Sequence, residues 1–181
     1  MYLVLVLTTV ICVIFQIDSV QQIMQWDIHA LASGQWWRIL TGNFTHTNIW
    51  HLLMNLAGLW VISYLFTPSK KQLLVTLITI SALVGIGLLW SSIQIYVGLS
   101  GTLHGLFGYF ALNEALRGRK SSWLLVLGLI LKVGWEQFYG ASESTSAMIA
   151  ARVAIEAHLV GGFAGLTGAL SMYFYDKSDA K

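Results

Sequence analysis

Apolar residues along the chain fall into six long runs that are separated by polar stretches. A helix of about 20 apolar residues crosses the roughly 30 Å hydrocarbon core of a bilayer. The first run lacks the basic start and the small-residue cleavage site of a signal peptide, so we interpret it as a span as well. The pattern predicts an all-α membrane protein with six transmembrane helices. The runs cover residues 1–17, 49–66, 73–96, 102–116, 122–135 and 147–175.

Two of the connections differ from simple loops. Residues 18–48 contain the apolar and aromatic stretches QQIMQW and GQWWRIL, which are too short to cross and are typical of segments lying in the membrane interface. Residues 136–146 have the sequence EQFYGASESTS, and this content of Gly, Ser and Thr predicts a mobile loop at the outer face. We expect that loop, and the end of the fifth run, to move when a large ligand is admitted.

The fourth run, residues 102–116, is shorter than most of the others. Its 15 residues measure about 22 Å as a helix, which is less than the thickness of the hydrocarbon core. With Arg117 at the cytoplasmic end, Ser100 would stop below the outer surface. Backbone at that depth must be buried in protein or line a water-filled cavity where it is not helical. We therefore predict that Ser100 faces a wet pocket within the membrane.

Composition supports the assignment to the membrane. The chain has 181 residues, of which 56% are hydrophobic and 10% are charged, whereas soluble domains carry about 25% charged residues. Its single cysteine, Cys12, excludes a disulfide framework. No basic cluster is large enough to indicate a nucleic-acid interface.

Basic residues indicate the orientation of the spans. With six spans, most of these residues fall on one side, and the positive-inside rule assigns that side and both termini to the cytoplasm. Arg38, Lys132 and Arg152 lie on or near the other side. The cytoplasmic set comprises Lys70, Lys71, Arg117, Arg119, Lys120, Lys177 and Lys181.

Ser100 is the first candidate for chemistry. It lies in the stretch GLSG before the fourth run, where the unpaired N–H groups and the dipole of a helix N-terminus favour an anion. A serine becomes a nucleophile when a base takes its proton and donors stabilise the oxyanion. Serines also occur where membrane helices pack, and the motif differs from the G-x-S-x-G elbow of soluble hydrolases. Ser100 alone therefore fits both packing and catalysis.

Two histidines are candidates for the base. His104 lies four residues after Ser100 on the same helical face. His158, in the last run, shares a face with small residues such as Gly161, and the fourth run has a similar face that includes Gly101. Two faces of this kind pack closely in a membrane, which would bring His158 to Ser100.

No acid is obviously positioned to orient either histidine. Asp18 and Asp27 lie in the first long connection. Glu156 is two residues from His158, a spacing that turns it to a different face of a helix. The sequence therefore favours a serine–histidine dyad over a triad.

His51 and Asn55 form a polar face in the second run. They are four residues apart, so both side chains lie on one side of the helix, where they could donate to an oxyanion or bond to a neighbouring helix. His46 lies five residues before His51, but no cysteine or helical carboxylate completes a set of metal ligands. We predict no metal site.

Taken together, these residues resemble the rhomboid family of intramembrane serine proteases, in particular its compact bacterial GlpG type. The resemblance covers nearly the whole chain. It implies a six-helix rhomboid bundle with a membrane-embedded first loop. We expect one catalytic domain over residues 1–181 without a soluble N-terminal domain, in which the chain would depart from many proteins of the GlpG type. The matching motifs, in chain order, are WR at Trp37 and Arg38, H-x4-H-x3-N at His46, His51 and Asn55, GLSG around Ser100, and AH-x2-G at Ala157, His158 and Gly161.

The resemblance implies that Ser100 is the nucleophile and His158 the general base. The oxyanion would be held by His51, Asn55 and the Ser100 N–H, with the Leu99 backbone as an addition. The implied activity is cleavage of peptide bonds in or beside transmembrane segments of other proteins, without a cofactor. Supporting roles fall to His104, Gly98, Gly101, Gly161, Trp37, Arg38 and His46.

Two positions depart from the family's pattern. His104 stands where relatives usually have Tyr or another aromatic residue that stacks on the catalytic histidine, and an imidazole titrates near physiological pH. His104 therefore stays an alternative base. Val97 stands where relatives often have Gly, and its side chain would narrow the cleft.

The implied location is the inner membrane of a bacterium, with the site open to the periplasmic side. Membrane lipids and transmembrane protein substrates are the implied partners, and the oligomeric state is left undetermined. Three alternatives stay open: an inactive rhomboid-like membrane-binding protein, a channel for polar solutes or protons lined by the five histidines, and a metal-dependent membrane hydrolase.

Overall fold

The computed structural model describes residues 1–179 and is almost entirely helical. Lys181, one of the basic residues behind the predicted orientation, lies outside the described part. Two short strands, β1 (Trp26–Asp27) and β2 (Ile95–Tyr96), pair as an antiparallel sheet. The helices are α1 (Tyr2–Ile14), α2 (Asp18–Met24), α3 (Ile28–Ala32), α4 (Arg38–Thr41), α5 (Ile49–Phe66), α6 (Lys70–Gly87), α7 (Ser100–Leu116), α8 (Ser122–Tyr139), α9 (Glu143–Ile149) and α10 (Ile155–Asp179).

Each of the six apolar runs contains most of one long helix, and the predicted all-α membrane fold is confirmed. Among residues 1–179, two helical segments are long and apolar enough to cross a membrane, Ile49–Phe66 and Lys70–Trp90. Two bent helix pairs, α1 with α2 and α8 with α9, raise that number to four if each pair forms one span. The count of six spans stays a prediction.

Several helix boundaries differ from the predicted runs, and three of these differences lie near Ser100, Glu136 and His158. α7 begins at Ser100, two residues before the apolar run. α8 continues to Tyr139 and ends at Gly140, whose φ of +81° suits only glycine. The last run divides into α9 and α10, because Ala150 adopts a left-handed conformation that ends α9. Glu136 therefore lies on the last turn of a helix and not in the predicted loop.

The first long connection packs as a folded segment against α6. Trp26 is fully buried, and its indole N–H donates to the Gly85 carbonyl at 2.9 Å. Trp26 also pairs with Tyr96 where β1 meets β2. A Cβ at Gly85 would overlap the Ile39 carbonyl, so the connection lies directly on the backbone of α6.

Trp37 and Arg38 attach the two halves of this connection, α2 and α4, to each other. The buried Arg38 guanidinium donates to the carbonyl oxygens of Gln22 and Gln25 at 3.0 and 2.6 Å. The indole N–H of Trp37 donates to the Ile23 carbonyl at 3.1 Å. The last carbonyls of a helix have no partner within the helix, so these bonds satisfy the end of α2 and attach it to α4.

Glycines let α7 and α10 pack with their backbones in contact. A Cβ at Gly161 would overlap the Gly101 carbonyl, and a Cβ at Gly165 would overlap the Gly105 carbonyl. Small residues permit this close approach between helices in lipid. The approach of the two small faces, predicted from sequence, is therefore present, and it brings the start of α7 beside the start of α10.

A buried polar network lies beneath the start of α7. The Asn43 amide donates to the Ser81 carbonyl at 3.0 Å, and the Thr102 hydroxyl donates to Asn43 Oδ1 at 2.9 Å. Ser81 Oγ lies 3.0 Å from Thr102 Oγ1, and all three side chains are fully buried. Satisfied buried networks specify one arrangement of the backbone. This network connects the first connection, α6 and α7, and the sequence analysis did not identify it.

Candidate active site

Ser100 is the first residue of α7, and its side chain meets His158 of α10. Ser100 Oγ lies 2.9 Å from His158 Nε2. His158 is 4% exposed, whereas Ser100 is partly exposed and lines a cavity. The hydroxyl therefore has a proton acceptor within hydrogen-bond distance and stands where the free N–H groups of a helix N-terminus point.

Glu136 contacts the opposite edge of the His158 ring. Its Oε2 lies 2.8 Å from His158 Nδ1, and its Oε1 accepts from Lys132 Nζ at 2.7 Å. The expectation that no acid orients the histidine is wrong, because we placed Glu136 in a loop whereas α8 runs on past it. The i,i+4 spacing of Lys132 and Glu136, a charged pair at the end of an apolar helix, was the available signal.

His104 stacks on His158 and does not contact the serine hydroxyl. The two ring centroids are 4.0 Å apart and the planes differ by 17°. His104 Nδ1 lies 2.7 Å from the Ser100 carbonyl oxygen, which can only accept, so Nδ1 carries the proton. Of the two candidate bases, His158 is thus the one within hydrogen-bond distance of Ser100 Oγ.

His51 and Asn55 approach the backbone just before Ser100. Gly98 has a φ of +121°, and a Cβ there would lie 2.7 Å from His51 Nε2 and 3.7 Å from Asn55 Nδ2. Asn55 Nδ2 is buried and has no hydrogen-bond partner among the described residues. Leu99, the N-cap residue of α7, is fully buried between Gly98 and Ser100. Two side-chain nitrogens therefore converge on the turn that presents the hydroxyl.

His46 packs edge-on against His51, with ring centroids 5.0 Å apart and planes at 84°. Burial, with a smaller effect from the nearby His51 ring, lowers the pKa of His46 to about 3. His46 is therefore neutral at physiological pH. Its fully buried ring restricts His51, whose Nδ1 lies 3.1 Å from Thr47 Oγ1 and 3.4 Å from the Thr47 backbone nitrogen.

Cavities lie on both sides of the Ser100–His158 contact. One of about 220 Å³ is lined by Ser100, His51 and Val97, together with Ile149 and residues 151–154. Another of about 530 Å³ lies beside His158 and Glu136 and extends along α8 and α9. The predicted pocket at Ser100 is therefore present, and Val97 forms part of its wall.

The end of α9 and residues 151–154 line the first cavity, and α9 is attached to the start of α5. The Thr47 hydroxyl donates to the Ile149 carbonyl at 2.6 Å, and the Asn48 amide donates to the Met148 carbonyl at 3.0 Å. α9 also turns by 87° from the direction of α8. The connection between α8 and α10, from α9 to residue 154, thus forms a cover on the first cavity and is held to the start of α5 by two side-chain hydrogen bonds.

One cluster within residues 1–179 has the composition of a metal site. Ligand atoms of His104, Glu136 and His158 lie within 4.8 Å of one another. A histidine binds a metal through the lone pair in its ring plane, at about 2.0–2.1 Å for zinc. Because the two rings are stacked, their lone pairs do not converge on one ion. Glu136 and His158 also bond directly, so the cluster fits a hydrogen-bonded site better than a metal site.

Two comparisons show which known proteins this chain is similar to. The family model described as the Rhomboid domain matches residues 33–174. The chain is also similar to the Rhomboid protease GlpG of Pectobacterium atrosepticum, with 33% identity over 114 residues. That alignment covers 59% of this chain and 40% of the relative, so the match spans about two fifths of the relative's length.

Proposed function

Because the chain belongs to the rhomboid family, we propose that it is an intramembrane serine endopeptidase. It cleaves peptide bonds in or beside the transmembrane segments of other membrane proteins. The observation that carries the proposal is the 2.9 Å contact between Ser100 Oγ and His158 Nε2 at the N-terminus of α7. The name of the GlpG relative agrees with this class of activity.

His158 accepts the Ser100 proton while Oγ attacks the scissile carbonyl carbon. The protonated His158 then gives that proton to the leaving amine, and the acyl group stays on Ser100 as an ester. Water, deprotonated by the same histidine, hydrolyses the ester and frees the enzyme. The cavities beside His158 supply space for this water within the bundle. No cofactor takes part.

Donors around Gly98 stabilise the oxyanion. Asn55 Nδ2 is buried without a partner, which is costly unless a ligand later accepts its hydrogen bond. His51 Nε2 faces the same turn, and a proton on this nitrogen would point at the oxyanion. The N–H groups of Ser100 and Leu99 complete the set. Removing one oxyanion donor in other enzymes costs about 10²–10³-fold in kcat.

Substrates are extended or locally unwound transmembrane segments of other proteins. A peptide bond inside a helix is shielded by its own hydrogen bonds, so residues that break helices near the cleavage point favour the reaction. The end of α9 and residues 151–154 line the cavity at Ser100, and this cover has to shift for a chain to bind. Trp37 and Arg38 keep the first connection in place while α9 moves.

The protein lies in the inner membrane of a bacterium, with both termini in the cytoplasm and the site open to the periplasmic face. The distribution of Lys and Arg between the helices supports this orientation. Ser100, at the opposite end of α7 from Arg117, then lies towards the outer side. Residues 1–179 act as one catalytic membrane domain.

Purified protein in detergent, mixed with a single-span substrate, tests the proposal. Wild type is expected to cleave, while Ser100→Ala and His158→Ala lose at least about 10³-fold in rate. His104→Ala should be slowed less than His158→Ala, since it removes only a stacking partner. Cleavage by Ser100→Ala would overturn the mechanism, and loss of activity in EDTA would favour a metal-dependent hydrolase. Substrate binding by wild type without cleavage would indicate an inactive membrane-binding protein.

A further inference from the structure

Glu136 is the second polar partner of His158. One edge of the imidazole faces Ser100 and the opposite edge faces the carboxylate, with separations of 2.9 and 2.8 Å. We propose that Glu136 is a positioning residue, so that the active site is a serine–histidine–glutamate triad and not a dyad. The inference rests on the proposed function, since it assigns a role within the same acyl-transfer step.

The carboxylate decides which nitrogen of His158 carries the proton. An ionised carboxylate only accepts hydrogen bonds, so the 2.8 Å contact requires a proton on Nδ1. Nε2 then has a free lone pair directed at Ser100 Oγ. This is the tautomer in which His158 acts as a base, and the opposite tautomer would present an N–H to the serine and could not accept its proton.

Lys132 determines how the carboxylate is oriented. Its Nζ lies 2.7 Å from Glu136 Oε1, which leaves Oε2 for His158. Both carboxylate oxygens of Glu136 therefore have a hydrogen-bond partner, and the residue is only 8% exposed. A charge buried in a membrane protein is expensive unless it is paired, and Lys132 provides the pairing from the preceding turn of α8.

A purely structural ion pair would not need this arrangement. Lys and Glu four residues apart stabilise an exposed helix face without a third partner. Arg152, just before α10, forms an ion pair of the same spacing with Glu156, and this pair makes no hydrogen bond to His158. Among the described residues, Glu136 is the carboxylate that contacts the His158 ring, and it does so from a different helix.

The reaction step balances with this assignment. As the bond between Ser100 Oγ and the carbonyl carbon forms, the hydroxyl proton moves to His158 Nε2, and the electron pair of the carbonyl moves to its oxygen. His158 is then a cation whose Nδ1–H still points at Glu136. When the C–N bond breaks, the proton on Nε2 leaves with the amine, and the Nδ1 proton has not moved.

Glu136→Gln is the decisive substitution because an amide has a single acceptor oxygen. Lys132 can only donate, so it binds that oxygen and turns the NH₂ group towards His158 Nδ1. The histidine proton then moves to Nε2, where it blocks acceptance from Ser100. We expect kcat to fall about 10²–10⁴-fold while KM changes less than about threefold, since residue 136 acts through His158 and not by holding the substrate.

A second substitution separates positioning from general destabilisation. In Lys132→Met with Glu136→Gln, the amide is free to rotate and to offer its oxygen to Nδ1–H. The double variant should therefore regain about tenfold or more in kcat over Glu136→Gln alone. Lys132→Met alone should lose less than about tenfold, because the carboxylate still accepts from His158. Additive losses, with the double variant slower than either single variant, would overturn the proposal.

Glu156→Gln is the matched control. It removes a negative charge from another i,i+4 ion pair close to the site, so its rate should stay within about twofold of wild type. Thermal unfolding of each variant in detergent checks the fold, and the double variant retains no unpaired charge at these positions. If Glu136→Gln keeps wild-type kcat, the triad is excluded.

Labelling of Ser100 by a fluorophosphonate probe is measured in parallel. The probe reports whether His158 takes the serine proton and needs no peptide substrate, so the same ratios among the variants are expected. If wild type is labelled but cleaves no transmembrane substrate, the proposed function fails while the labelling ratios still decide the role of Glu136. If cleavage depends on Ser100 but not on Glu136, the function stands and the triad fails.

Discussion

Two regions hold the members of the site, and they are packed in opposite ways. Where α10 meets α7, backbone touches backbone, so that a Cβ at Gly161 would overlap the Gly101 carbonyl. On α8 the glycines meet nothing, and a Cβ at Gly134 would have no neighbouring atom within 4 Å. Ser100 and His158 lie on the first region, whereas Glu136 lies on the second.

The close packing of α10 on α7 and the open packing of α8 suit different roles. Close-packed interiors deform little, so the α7–α10 contact keeps Ser100 and His158 at one distance. α8 has free space along one face and continues into the bent α9, which is held to α5 by bonds from Thr47 and Asn48. We therefore predict that the α8–α9 unit shifts when a substrate binds, and that the hydrogen bonds of Glu136 bring its carboxylate back to His158 afterwards.

The largest effect is expected where the packing is closest. Gly161→Ala places a methyl group against the Gly101 carbonyl and forces α10 away from α7. A misplacement of about 1 Å between reacting groups costs about 10²-fold in rate, and overpacking costs about 1–3 kcal/mol of stability. We therefore expect cleavage to fall by at least about 10²-fold, with a lower midpoint of thermal unfolding in detergent.

Gly162→Ala is the control for this change, because it lies one residue further along the same helix. Its added Cβ would lie 3.8 Å from Val133 Cγ2, which is an ordinary contact. The rate should stay within about threefold of wild type. Equal losses in the two variants would show that α10 tolerates no alanine, and the contrast between packed and open positions would be lost.

Restricting α9 should have an intermediate effect. Cysteines at positions 48 and 148, joined by a short reagent with a reducible spacer, would hold α9 to α5 where Asn48 now donates to the Met148 carbonyl. Cys12 is buried and does not compete for the reagent. We expect cleavage of a transmembrane substrate to slow about tenfold and to recover on reduction, because the cover has to move.

The two single-cysteine variants, treated in the same way, control for modification alone. Labelling by a small fluorophosphonate should slow less than cleavage, since the small probe needs less movement of α9. If the crosslinked protein cleaves as fast as the reduced protein, the substrate reaches Ser100 without movement of α9, and another part of the molecule must admit it.

The smallest effect is expected on the open face of α8. Gly134→Ala adds a methyl group where no atom lies within 4 Å, and glycine inside a helix is less favourable than alanine by about 0.5–1 kcal/mol. Unfolding should require slightly higher temperature, while cleavage stays within about twofold. A loss of more than about tenfold in rate would show that α8 packs closely during the reaction, against the comparison drawn above.

Local spacing made part of the site predictable. Ser100 could be placed at a helix start because a run of apolar and small residues follows it. His51 and Asn55 could be assigned to one face from their separation of four residues. The small faces around Gly101 and Gly161 predicted that α7 and α10 pack closely, and this close packing is observed. Each of these inferences needs only the geometry of a single helix or of two complementary faces.

Other features depended on where helices end and how they meet. Glu136 was assigned to a loop because polar residues follow it, yet hydrogen bonding continues α8 to Tyr139. His104 and His158 both fitted the base, since each is compatible with reaching the serine by spacing alone. Only the tertiary structure distinguishes them, because it shows His104 stacked on His158 and bonded to the Ser100 carbonyl.

The sequence by itself determined that this is a helical membrane protein, which residues face one another along each helix, and where a hydroxyl would meet a helix N-terminus. These properties follow from hydropathy and from a fixed repeat of 3.6 residues per turn. Only the tertiary structure decided that Glu136 contacts His158 and that the end of α9 lines the cavity at Ser100. Contacts between distant residues depend on helix ends and interhelical packing, which no local spacing encodes.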